Sequence, residues 1–173
     1  SLSLDSLAKT RVTLFKNRAL AEPGIAALSA VTQLPVNVTF ETALNVKGSE
    51  ERKLLRVAPV DADYLKTLGI TPMAGRGFTE GEDNTREGWE IIVNESALGF
   101  FGWTNDEAIG KELNLWQAHG VIKGVVKDFH FSSLHSPITP LVIFTGNGLT
   151  LSNLLVRFNR DHSGDPTELL KKL

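Results

Sequence analysis

The chain is 173 residues long, with 18 Lys and Arg against 20 Asp and Glu, a net charge of −2, and no cysteine. So balanced a charge leaves no basic field to hold nucleic acid by counterion release, and the lack of thiols removes cysteine catalysis, thiolate metal sites and disulfides. The length is enough to bury a core without metal or cross-link, as one domain or two small subdomains.

The chain opens on a helical stripe of Leu4, Leu7, Ala8, Val12, Phe15 and Ala19, with Asp5, Lys9, Lys16 and Asn17 largely off it; Pro23-Gly24 ends the helix. The small apolar run Ile25 to Val31 reads as a buried strand. From Val36 to Val46 apolar and polar residues alternate, which predicts an amphipathic strand, and Arg52 to Val60 reads as its hairpin partner. Asp61 is expected to cap a short helix carrying Tyr64, Leu65 and Leu68, closed by Gly69. An acidic loop, Gly75 to Gly88, precedes a strand over Glu90 to Val93 and a helix from Glu95 to Phe101 that stops at Gly102. Strands follow at Val121 to Phe131, Leu141 to Thr145 and Leu151 to Phe158, and Asp165-Pro166 starts a last helix to Leu173. The fold class is α+β, its strands clustered rather than alternating with helices.

No apolar run approaches the roughly 20 residues of a membrane-spanning helix; Leu141-Val142-Ile143-Phe144 is typical. No signal peptide opens the chain, and both ends are helices without a natural terminus, so the expectation is a segment excised from a longer protein.

The search for chemistry is negative. Gly75-Arg76-Gly77-Phe78 lacks the third glycine of a dinucleotide loop, because Glu80 stands there, and the carboxylates of Glu80, Glu82 and Asp83 would repel phosphate. Gly110-Lys111 resembles a P-loop tail, but Glu112 replaces its Ser or Thr and Asn105 its first glycine. Glu80, Glu82, Asp83 and Asn84 do not have calcium-loop spacing and read as a solvated acidic loop. Asp128, His130 and His135, with Ser132 and Ser133 beside them, are the most suggestive set. They could make a zinc site or a hydrolytic pair, yet all come from one segment and no nucleophile elbow accompanies them. Their default role is to hydrogen-bond the turn that ends a strand. Asn37-Val38-Thr39 and Asn94-Glu95-Ser96 are sequons short enough to arise by chance. Trp89, Trp103 and Trp116 read as core or subdomain-junction packing. No catalytic, cofactor-binding or metal-binding residue is assigned, and no cofactor is expected.

Four ordered stretches carry a family resemblance: Val60 to Ile70 followed by Ala74-Gly75-Arg76-Gly77-Phe78; Ile91 to Ala97 leading to Gly102-Trp103; Ala108 to Lys111; and Val121 to Phe131 followed by Ser133-Leu134. Together they resemble the extracytoplasmic (periplasmic core) domain of MacB/FtsX-like ABC transporter permeases, over nearly the whole chain. Lys123 departs from the pattern, which more often has a small or apolar residue there. The resemblance implies a porter-like α/β subdomain from both chain ends, 1–35 and 146–173, possibly lacking its final elements, with a β-rich subdomain inserted at 36–145. It implies a non-catalytic domain on the periplasmic face of a bacterial inner membrane. The membrane part of the same permease would link it to a cytoplasmic ATPase subunit or domain. That role would couple ATP-driven motion to export or extraction of a substrate, with a periplasmic or outer-membrane protein as a further partner. The FtsX branch implies instead an interaction module that regulates an envelope partner such as a cell-wall hydrolase.

Overall fold

In the computed structural model, which describes residues 4–79, 88–116, 118–131, 137–146 and 149–159, helices and strands are mixed along the chain. Their order is α1 (Leu4–Leu20), β1 (Ile25–Val31), β2 (Glu41–Val46), β3 (Lys53–Pro59), α2 (Tyr64–Leu68), β4 (Ala74–Gly75), β5 (Trp89–Asn94), α3 (Glu95–Phe101), α4 (Asn105–Ala108), β6 (Glu112–Leu115), β7 (Ala118–Val126), β8 (Leu141–Thr145) and β9 (Asn153–Phe158).

The larger sheet runs β4-β7-β5-β8-β3-β2-β6, and β6 pairs back onto β7, so six of its strands close into a barrel. Closure removes the open edges that a flat sheet would expose. The long strand β7 makes it possible. One of its edges pairs in parallel with β5, while the other is shared between β6 at Ala118–Val121 and β4 at Gly124 and Val125.

Side chains alternate across a strand, so every second residue fills the barrel. Leu44, Leu55, Val57, Ile91, Val93, Leu113, Leu115, Ile122, Val142 and Phe144 form that interior, all of them buried. The intervening Ala58, Ile92, Leu141 and Ile143 point outward under a second layer made by Val38, Val60, Tyr64, Leu65 and Phe131. Strand β8 is therefore covered on both faces, which is why Leu141–Thr145 reads as an unbroken apolar run. Between Ile91 and Ile92 the β5–β7 register slips by one residue, placing Lys123 in a bulge. A Cβ on Gly124 would lie 2.2 Å from the Arg76 carbonyl oxygen, so only glycine fits beside the incoming chain.

Strands β1 and β9 form a separate antiparallel ribbon. Phe15 and Ala19 of α1 pack on one of its faces against Ile25, Leu28, Val156 and Phe158. Val31 and Leu155, on the other face, join the layer that covers the barrel.

The structure corrects several boundaries. The segment at Val36 to Phe40 is not part of β2: the Gln33 side-chain carbonyl accepts from the amides of Thr39 (3.2 Å) and Phe40 (3.1 Å), and the Val38 amide donates to Phe131 (3.0 Å). Those donors are diverted before a ladder can form. The strand expected over Val121 to Phe131 is β7, which starts earlier and ends at Val126 opposite Asn94, where its partner β5 turns into a helix. The strand expected from Leu151 begins at Asn153. The last helix, expected from Asp165, lies outside the described residues.

Candidate functional site

Three polar clusters stand out, and each begins with a residue at the end of a strand. The first surrounds Asp61, directly after β3. Asp61 does not cap α2 as the sequence suggested; the N-cap is Asp63, which makes no side-chain capping bond. The Asp61 carboxylate instead accepts from the Ala30 amide (2.7 Å), the Ser29 hydroxyl (2.7 Å), the Asp63 amide (3.1 Å) and the Lys16 ammonium (2.8 Å). Its own amide donates to the Ala30 carbonyl at 3.0 Å. Lys16 also donates to the Asp63 carboxylate. Burial pulls the Lys16 ammonium down, but hydrogen bonds to Asp61 and Asp63 and their charges outweigh it, leaving its pKa above the ordinary lysine value.

The second cluster lies where β5 becomes α3. Asn94 is fully buried; its side-chain oxygen accepts from the amides of Ala97 (3.1 Å) and Leu141 (2.8 Å), and its nitrogen donates to Thr139 (3.0 Å). It caps α3 and also pins the entry to β8. Asp128 accepts from the amide (3.0 Å) and hydroxyl (2.6 Å) of Ser96, and the Asp128 amide donates to Glu95 (3.0 Å). A carboxylate on the first turn of a helix is a stabilising arrangement. Asp128 thus holds the first turn of α3. His130 is exposed, whereas His135, Ser132 and Ser133 lie outside the described residues, as do Glu80, Glu82, Asp83 and Asn84. Among the described residues no three His, Asp or Glu side chains converge as metal ligands.

In the third cluster Arg76 clamps Glu90. Its Nη2 donates to Glu90 at 2.6 Å, and Glu90 also accepts from the Thr79 amide at 2.9 Å. The segment that leaves β4 at Arg76 is therefore locked onto β5. Gly110 (φ 84°) turns the chain from α4 toward β6 and donates its amide to Ile122 at 2.8 Å. Gly110 is thus a structural turn, whereas Gly75 belongs to strand β4.

The tryptophans close the barrel ends. At one end Trp89 stacks on Phe144 (4.8 Å between centroids) beneath Trp116, which also lies 5.8 Å from Phe40. At the other, Trp103 stacks on Phe101 at 4.3 Å with the Lys111 ammonium 5.1 Å from its ring. Lys16 and Ser29 are the site residues that the sequence reading passed over. The available signal was Lys16 three positions before Ala19, which places it on the packed side of α1.

No family model and no curated relative matches the sequence. Solved structures do. A domain assigned to a permease protein from Porphyromonas gingivalis shares 17% identity over 90% of this chain and 71% of its own, with a TM-score of 0.59. The periplasmic region of MacB from Actinobacillus actinomycetemcomitans shares 16% over 92% of this chain and 69% of its own, at 0.59. The extracellular domain of the ABC-type transporter YknZ from Gram-positive bacteria shares 15% over 84% of this chain and 71% of its own, at 0.57. The chain therefore has the fold of these permease and transporter domains, and the resemblance carried by its four sequence blocks holds at the level of fold.

Proposed function

We propose that this chain is a non-catalytic extracytoplasmic domain of an ABC transporter permease, which passes ATP-driven motion of the membrane part to an exported or extracted substrate. The observation that carries the reading is the shared fold, over most of the chain, with domains of MacB, YknZ and a Porphyromonas permease. The polar clusters support it, since each spends its hydrogen bonds on holding elements together. A cytoplasmic ATPase subunit or domain is the implied motor, and the periplasmic face of the inner membrane the implied location. Among the described residues no helix is long and apolar enough to cross a membrane. In this reading α1 and the β1–β9 ribbon belong to the porter-like subdomain (1–35 and 146–173), and the barrel is the inserted one (36–145). Purified protein should hydrolyse no ATP above the buffer rate; turnover that survives repurification and falls with a point substitution in this chain would contradict the proposal.

A further inference from the structure

If the domain passes on motion as proposed, the part that holds α1 must be joined stiffly to the barrel; this inference rests on that reading. Among the described side chains of α1, Phe15 and Ala19 meet the ribbon in a cluster that contains no barrel residue. Lys16 supplies a second route. Its ammonium reaches Asp61 and Asp63, in the segment that leaves barrel strand β3 and enters α2.

We infer that Lys16, Asp61 and Asp63 form a charge clasp that makes α1 and the barrel move as one body. Asp61 suits this role because its backbone is continuous with β3 while its carboxylate holds β1 through Ala30 and Ser29, α2 through the Asp63 amide, and α1 through Lys16. Side-chain exposure of 15% for Lys16, 17% for Asp61 and 21% for Asp63 keeps the clasp from being screened like a surface pair. Pulling Lys16 out would strand two carboxylates in a part-buried site and is strongly opposed. The arrangement is thus a stiff joint rather than a sliding contact.

Hydrogen exchange on the chain itself tests the clasp. Lys16→Met should speed exchange of the α1 amides by at least about tenfold, as expected when a buried pair loses one partner. Lys16→Arg should keep it within about threefold, and β5 and β8 should stay unchanged in both. Asp63→Asn removes one half of the clasp and should give an intermediate rise, which keeps the test open if Lys16→Met folds poorly. Unchanged α1 exchange in Lys16→Met and Asp63→Asn overturns the clasp. In the whole permease with its ATPase, Lys16→Met should keep ATP turnover and lose most substrate movement. Full transport in that variant overturns the coupling role alone, whereas full transport after deletion of the domain overturns the functional reading on which it rests.

Discussion

Replacing Asn94 by alanine probes the junction on which both the barrel and α3 depend. Its side chain makes bonds to Ala97, Leu141 and Thr139 in a fully buried site. Alanine would strand two amides and one carbonyl where water does not reach them. A net loss of about 1 kcal/mol per bond, the middle of the usual range, sums to about 3 kcal/mol over the three bonds. With a urea slope of about 2 kcal/mol/M, the unfolding midpoint should fall by about 1.5 M at unchanged slope. Ser96→Ala removes only the hydroxyl bond to Asp128 and should cost about 1 kcal/mol. Urea titration followed by tryptophan fluorescence measures both. An Asn94→Ala loss below about 1 kcal/mol would refute the reasoning, because the carboxamide would then not be the pin between β5, α3 and β8.

Gly124→Ala should cost about 2–3 kcal/mol by the same titration, since its Cβ would sit 2.2 Å from a backbone oxygen that cannot move without unpairing β4 from β7. The Tyr64 hydroxyl is buried without a hydrogen-bond partner, so Tyr64→Phe should leave stability unchanged or raise it by up to about 1 kcal/mol at pH 7. Burial raises the Tyr64 pKa, and the Asp61 and Asp63 contacts raise that of Lys16 against the opposing effect of burial. Raised folded values mean that both groups keep their protons in the fold while the unfolded chain loses them from about pH 10 upward. Their stabilisation is complete below that pH and is lost as pH rises through the folded values. The urea midpoint should therefore drop between pH 9 and pH 11, by less in Tyr64→Phe; an equal drop in both proteins would remove Tyr64 from the account.

Local signals carried much of the fold. Helix α3 runs from Glu95 to a stop at Gly102 as read, because a left-handed glycine acts within a few residues. The β2–β3 hairpin and the buried run of β8 were also legible, through alternation and continuous apolarity. Barrel closure was not, since it needs β6, the local hairpin partner of β7, to pair also with the distant β2. Strand β6 is only Glu112–Leu115, too short for a pattern to declare itself. The strand predicted at Val36 failed because Gln33, outside the alternating run, takes the Thr39 and Phe40 amides. Asp61 had the look of a helix cap, and only the approach of α1 and β1 shows its carboxylate occupied elsewhere. The Lys16 clasp stayed hidden for the same reason. A lysine beside an apolar stripe reads as solvated until the tertiary fold brings carboxylates to it.

The role proposed for this fold is to couple motion of the membrane part to substrate movement. The most direct measurement is substrate movement and ATP turnover, side by side, by the parent permease and its ATPase in proteoliposomes, with residues 4–159 intact or replaced by a flexible linker. The account predicts that ATP turnover persists while substrate movement falls to background. Substrate movement at the intact rate after the replacement would contradict it.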